Sequence, residues 1–227
     1  MSEWWTYRPE DFLLFSPRVY WRMFELQNAS LWPLPALMIA VGVIILILSL
    51  WQRPSSARAV SFLLAMIWIL VAYLFFWTRY ATINWAAAYL APIFMVEGLL
   101  LFAAACRYVP VTFDLSRPAA WVGFGVLAFA ILGFPLLAAW QGRGVMASEL
   151  FGMAPDPTAF GTLGVILMLR GRALLLLMPV PVLWCLLSAA TLWTMGETVA
   201  AWTRLAIALL APLMILLDNA RVQNRRP

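Results

Sequence analysis

The sequence predicts an all-α polytopic bundle of transmembrane helices, and three observations carry that prediction. Of 227 residues, 65% are hydrophobic and 11% charged, with mean hydropathy +0.90, whereas a soluble domain carries about a quarter charged residues. The apolar residues come in blocks of about 20, the length an α-helix needs to cross a hydrocarbon core of about 30 Å. No stretch shows the short alternating polarity of a transmembrane β-strand. The predicted organisation is an N-terminal amphipathic interfacial segment over 1–31, a single transmembrane domain over 32–217 with seven hydrophobic segments, and a basic tail over 218–227.

In the N-terminal segment, Arg8-Pro9-Glu10-Asp11 reads as a helix start, with proline and acids in the first turn. Ser16-Pro17 repeats the signal, with Ser16 as N-cap. Beyond it Arg18, Arg22 and Glu25 share one helical face, while Tyr20, Met23, Phe24 and Gln27 fall on another. With Trp4, Trp5, Trp21 and Trp32 nearby, this pattern predicts a helix lying along the membrane surface. A lid over a pore and a docking face for a partner are the alternatives. No apolar run of the signal-peptide kind precedes the first span.

Six crossings follow from hydropathy: Trp32 to Leu50, Ala59 to Thr78, Ile83 to Cys106, Ala119 to Trp140, Ala173 to Thr194 and Val199 to Leu217. The seventh segment, Leu150 to Leu169, is interrupted by the helix breakers Pro155 and Pro157 with Asp156 between them. From Pro157 to Leu169 is thirteen residues, about 20 Å of helix and too short to cross unaided. Asp156 fits the N-cap position with Pro157 at N1. Leu150 to Ala154 then enters as non-helical backbone, tolerated in a membrane only when buried in protein or facing a water cavity. Discontinuous helices of this kind line substrate sites in transporters. Two compatible roles fit Asp156, a structural cap and a site that handles a proton or solute.

Positive charge weighs the topology. After the first span, seven crossings put nine arginines inside against two outside, and six crossings with a re-entrant loop put seven against four. Seven is preferred, with the C-terminus cytoplasmic; Arg143 and Arg170 then lie on opposite sides.

Glu97 lies fourteen residues beyond Ile83, roughly 21 Å along the helix and therefore within the hydrocarbon. An intramembrane carboxylate normally faces the bundle interior. Protonation or pairing with an arginine such as Arg204 would settle its charge, and an interior hydrogen bond, a proton or cation role and a subunit contact are its three readings. Asn84 is placed to bond the tight turn between the second and third spans, and Tyr73, Trp77 and Tyr80 fall on one face as an interfacial aromatic cluster. Trp184, Ser188 and Thr191 form a stripe suited to helix packing. Gly161 and Gly164, with Thr158 and Thr162, would let the short helix approach a neighbour closely.

Absences narrow the function. There is no histidine, and all fifteen basic residues are arginine. Histidine-ligated metal or haem, Ser-His or Cys-His catalysis and a retinal Schiff base are thereby excluded within the chain. Cys106 and Cys185 form no metal-spaced motif and read as packing residues. No nucleophile–base pair presents itself, so the chain is expected not to be an enzyme and to carry no cofactor and no metal. The net charge of +5 comes from arginines dispersed at segment ends, including Arg221, Arg225 and Arg226, a pattern for lipid headgroups and not for nucleic acid.

Glu10-Asp11-Phe12, Leu31-Trp32-Pro33, Ala81 to Trp85, Phe151 to Thr158 with Thr162-Leu163-Gly164, and Pro179 to Trp184 together resemble a bacterial membrane family catalogued as a domain of unknown function, number 6064 in that series. The resemblance spans most of the chain and implies a compact multi-pass protein of the bacterial inner membrane. It implies no reaction. The functional expectation is a small permease-like protein whose polar site comprises Glu97, Asp156, Arg204, Asn84 and Thr158. In that form, Glu97 and Asp156 face one water-accessible cavity. The alternative is a non-catalytic accessory or assembly subunit. The partners expected are the lipid bilayer, a further copy of the chain or another membrane subunit, and an unidentified solute.

Overall fold

The computed structural model describes residues 15–106, 111–171 and 174–223, with side chains to residue 218. The expected helix start at Arg8 to Asp11, the flanking Trp4 and Trp5, and Arg107, Arg172, Arg225 and Arg226 lie outside the described residues. Ten α-helices are present among the described residues: α1 Pro17–Ser30, α2 Leu34–Ser49, α3 Pro54–Val71, α4 Ala87–Ala105, α5 Pro118–Ala128, α6 Phe134–Trp140, α7 Pro155–Met168, α8 Leu174–Leu177, α9 Pro179–Thr194 and α10 Thr198–Gln223. Proline opens α1, α3, α5, α7 and α9. There its missing N–H costs nothing and its fixed φ favours the turn.

Among the described residues, five stretches are long and apolar enough to cross a membrane: Pro54–Thr82, Ala87–Ala105, Pro118–Trp140, Leu174–Thr194 and Thr198–Asp218. Of the seven expected segments, five thus form continuous helices of spanning length. The segment from Trp32 forms only the 16-residue α2, which reaches spanning length together with α1 across a 91° bend. The segment from Leu150 forms the 14-residue α7.

Two spans change pitch midway. π-helical turns at Ala72–Trp77 and Phe129–Gly133 interrupt them, and each extra residue per turn rotates the side chains downstream of it. The first explains a departure from the predicted aromatic face. Tyr73 and Trp77 point outward, 57% and 60% exposed, but Tyr80 turns inward at 5%. It packs on Phe75 and Phe76 with ring centroids 5.4 and 6.1 Å away.

α7 is the axis of the bundle, with all fourteen of its residues buried. Glycine sets its approach to α5: a Cβ on Gly164 would lie 2.6 Å from the Gly123 carbonyl oxygen, and one on Gly123 would lie 2.4 Å from that of Gly164. The two backbones touch directly there. On another side Trp68 of α3 donates its indole N–H to Thr162 Oγ1 at 2.8 Å, and Thr162 donates to the Thr158 carbonyl at 2.9 Å.

Contacts sort the loops into two ends. At one, Thr112–Phe113 (β1) pairs antiparallel with Leu169–Arg170 (β2), directly after α7. Arg117 donates to Asp218 at 2.9 Å, to the Leu167 carbonyl at 3.1 Å and to the Leu169 carbonyl at 2.7 Å. At the other end lies α1. Its Gln27 donates to the Met153 carbonyl at 2.8 Å, Asn28 to the Met146 and Ser148 carbonyls at 2.9 Å, and Trp21 to Glu197 at 3.3 Å. Ser16 caps α1 through the Val19 N–H. Tyr20, Met23, Phe24 and Gln27 are buried, with Phe24 stacked on Phe75 at 5.5 Å. The apolar face of α1 thus packs on the bundle, and Arg18 and Arg22 face outward.

Candidate functional site

The first turn of α7 explains what Asp156 does. A helix leaves the N–H groups of its N-cap and first three residues without helical partners. In α7 the N-cap is Ala154, whose N–H bonds the Leu150 carbonyl at 2.9 Å. Pro155 and Pro157, the first and third helical residues, have no N–H. Only the Asp156 N–H is left over, so the turn needs no carboxylate cap. The helix begins two residues before the expected position, and Asp156 is its second residue, not its N-cap.

The freed carboxylate faces three donors from other elements. Asp156 Oδ1 accepts from Trp184 Nε1 at 2.6 Å, and Oδ2 accepts from Ser188 Oγ and from Arg204 Nε, both at 2.7 Å. Trp184 and Ser188 lie one turn apart on α9, so the stripe that reads as packing also pins α9 to α7 through this acid. Trp184 is itself held edge-on by Phe76 and Phe94, at 5.1 and 5.3 Å. Arg204 of α10 completes the cluster. Its Nη1 reaches the Ala200 carbonyl at 3.3 Å, and its Nη2 donates to Glu149 Oε2 at 2.5 Å. Asp156, Arg204 and Glu149 are each at least 95% buried. A buried ion pair in such low dielectric needs its other polar atoms bonded as well, and every carboxylate oxygen of Asp156 and every guanidinium nitrogen of Arg204 has a partner.

Glu149 also lies against the Asp156 carboxyl, so two acids share the one guanidinium. Its Oε1 is buried with no hydrogen-bond partner among the described residues. This oxygen belongs to a residue lining a cavity of about 300 Å³, walled by Phe129, Phe134 and Trp140 and bordered by Arg143, Thr203 and Arg204. Arg143 lies with its guanidinium carbon 3.5 Å from the Trp21 ring centroid, and it donates to Gln141. Its Nη1 is likewise buried and unpartnered among the described residues. Arg143 and Trp21 also border a second cavity, of about 860 Å³, beside Arg18, Arg22 and Arg79. They stand between the inner cavity and this arginine-lined groove.

The other expected site residues lie elsewhere. Thr158 closes the turn before α7, donating to the Ala154 carbonyl at 2.7 Å and accepting from the Gly152 N–H at 3.2 Å. Gly152 has φ of +75°, a conformation that a side chain would strain. Asn84 accepts from the Ala86 N–H at 3.0 Å and donates to the Tyr80 hydroxyl at 3.2 Å, within the turn between α3 and α4. Glu97 is fully buried in α4, and neither of its carboxylate oxygens has a partner among the described residues. The expected pairing of Glu97 with Arg204 does not occur, because Asp156 and Glu149 occupy that guanidinium. Neither Glu97 nor Asp156 lines either of these cavities or the apolar groove of about 480 Å³ beside Trp32 and Leu136. Cys185 is buried and Cys106 is exposed.

Glu149 is the residue that sequence reasoning missed. It stands one residue before the apolar run, where an acid reads as an ordinary loop charge. Its signal was its place beside a span that already carried a second acid.

Glu97 supplies a separate test. An unbonded buried carboxyl costs about 1–3 kcal/mol. Glu97→Met, of similar volume and without polar oxygens, is expected to raise the melting temperature of the purified protein, and Glu97→Gln is not. A fall on Glu97→Met would mean that the carboxyl has a partner.

A family model described as "Family of unknown function (DUF6064)" matches residues 17–226. No curated protein and no solved structure matches the chain.

Proposed function

As the chain belongs to DUF6064, a family of unknown function, its role is read from its geometry, and we propose a small permease-like protein of the bacterial inner membrane. It receives a small polar solute in the cavity beside Glu149 and Arg204. The observation that carries this reading is the buried ion pair of Glu149 with Arg204, two residues that both line this cavity. Taking charges out of water costs stability, and a binding site is the ordinary place for such a cost. The pathway through Glu97 and Asp156 is not part of the proposal.

The chain crosses the membrane seven times, with α7 as a short crossing enclosed by protein. Supporting this, the residues before α7 bond α1, and those after it pair with β1 at the opposite end. A 14-residue helix is tolerated in this place because protein and not lipid covers all of it. Arg117 and Arg170, with the C-terminal end of α10, belong to the cytoplasmic side. α1 lies along the opposite surface as a lid on the bundle, its arginines toward lipid headgroups. Solute enters from the α1 end.

Cysteine labelling tests both topology and access, in a Cys106→Ser background where Cys185 is buried. With a membrane-impermeant methanethiosulfonate, Gly144→Cys and the cavity residue Thr203→Cys are expected to react from one side and Arg170→Cys from the other. Ala208→Cys, 1% exposed on α10, is expected to stay unreactive. Labelling of Gly144→Cys and Arg170→Cys from one side would replace the crossing with a re-entrant loop. An inert Thr203→Cys would remove the solute site.

One observation favours the accessory-subunit alternative. α10 has only 22% of its spanning window buried, and Trp202, Leu209, Leu213 and Leu216 lie exposed along it. Stable co-purification of a second membrane protein, lost when Leu209 and Leu213 become tryptophan, would support that reading over the permease.

A further inference from the structure

The buried cluster at the inner cavity does not balance its charges. Asp156 and Glu149 both bond Arg204, at 2.7 and 2.5 Å, and all three side chains are at least 95% buried. Two carboxyl groups therefore share one guanidinium, and they also lie against each other. Arg143 borders the same cavity, but it is held on Trp21 and Gln141 and forms no ion pair with Glu149 among the described residues. With both acids ionised, the cluster would bury one uncompensated negative charge, in contact with a like charge. Both features favour a proton on one of the two carboxyls.

We propose that Glu149 is a proton-binding residue: it holds a proton against Asp156 at neutral pH and releases it when the inner cavity fills with water, so that solute movement is coupled to a proton. This deepens the permease reading and rests on it. The distribution of donors assigns the proton to Glu149. Asp156 accepts from Trp184, Ser188 and Arg204, bonds that favour its charged form. Among the described residues, Glu149 accepts from Arg204 alone, on Oε2, and no donor reaches Oε1. A proton on Glu149 turns two repelling acceptors into a donor and an acceptor. It also leaves one negative charge against the one guanidinium. A hard metal cation, which takes about six oxygen ligands, finds too few here.

The surroundings of Glu149 fit this assignment. Burial raises its carboxyl above the usual carboxylate range; Arg204 opposes that and Asp156 reinforces it. Of the other elements around it, α1 presents Tyr20 and the loop after α6 presents Arg143, while Cys185 of α9 faces Asp156. Glu149 lines the cavity together with Thr203 and Arg204. When the proton passes to a cavity water, the carboxylate stays on Arg204 and no other bond is made or broken. The charge left behind then draws water into the space that the solute would occupy. Proton loss and cavity filling favour each other, and the coupling acts equally in both directions.

Infrared spectroscopy of the full chain in detergent reads the proton directly. Because Glu97 is a second buried carboxyl, the measurement is made in a Glu97→Gln background. A protonated-carboxyl C=O band is expected at neutral pH, and Glu149→Gln is expected to remove it. The amide has the shape and the donor of a protonated carboxyl, so the melting temperature at neutral pH is expected to hold. A large fall, or failure to fold, would mean an ionised Glu149 and overturn the assignment. Absence of the band, or a band that survives Glu149→Gln, would overturn it too. Coupling is read in the Cys106→Ser background from methanethiosulfonate labelling of Thr203→Cys, as a ratio to that of Gly144→Cys at each pH. The ratio is expected to rise severalfold more with pH when Glu149 is present than with Glu149→Gln. An equal rise in both would overturn the coupling and leave the solute-cavity reading standing, whereas an inert Thr203→Cys would remove both.

Discussion

Asp156→Ala is expected to be among the most damaging substitutions in the chain. It strips three donors of their acceptor at once: the Trp184 indole, the Ser188 hydroxyl and the Arg204 guanidinium. Breaking one side of a buried ion pair costs about 3–5 kcal/mol, because the remaining charge is stranded. Arg204 keeps Glu149, which places the loss toward the lower part of that range. Arg204→Met removes the positive charge from between two buried carboxylates and is expected to cost at least as much. The informative measurement is a double-mutant cycle on thermal unfolding in detergent. With Arg204→Met already present, Asp156→Ala should cost far less than it does alone, as coupled partners do not add. Additive losses, or an unchanged melting temperature for Asp156→Ala, would show that the network does not hold α7, α9 and α10 together.

Gly164→Ala is the second highly damaging substitution, for a steric reason. The new Cβ would lie 2.6 Å from the Gly123 carbonyl oxygen and 2.8 Å from the Leu127 amide nitrogen. Both are backbone atoms, which cannot swing aside as a flexible side chain can. α5 and α7 would have to separate, at the cost of about 1–3 kcal/mol or more that overpacking carries, and the whole axis of the bundle would move with them. Gly123→Ala is expected to behave alike. Gly125→Ala, two residues along the same helix with nothing within 4 Å of its Cβ, is the control and should be neutral or slightly stabilising. Equal stability of Gly164→Ala and Gly125→Ala would mean that the two helices do not meet at this glycine contact.

Both predictions concern α7, the element that sequence reasoning located and only partly understood. Pro155-Asp156-Pro157 marks its start because proline acts within a few residues of itself, through a missing N–H and a fixed φ. Whether Asp156 caps that start depends on how many N–H groups need capping. Helix onset at Pro155 instead of Pro157 changed the answer. Gly161 and Gly164 signal a close neighbour, but nothing local says that the neighbour is Gly123 of α5. The same holds for Tyr80: a regular helix would keep it with Tyr73 and Trp77, and the π turn, stabilised by the packing around Phe75 and Phe76, turns it inward.

The acids divide along the same line. Glu97 is visibly intramembrane from its distance along an apolar run, but its isolation is a property of the helices around it. Glu149, one residue outside a run, looks unremarkable until folding buries it against an arginine 55 positions later.

The class, most of the apolar helical segments and the family are legible in the bare chain, because they rest on composition and on interactions spanning a turn or two. Assembly of the helices was needed to show that Arg204 joins Asp156 and Glu149 and leaves Glu97 alone, that α7 is sheathed in protein from end to end, and that Glu149, Arg143 and Arg204 border one cavity. Those outcomes depend on which faces of distant helices meet. In an apolar chain nearly every face is hydrophobic, so periodicity carries little information about the pairing. A handful of polar side chains and glycines selects the partners, and they act only once the helices are assembled.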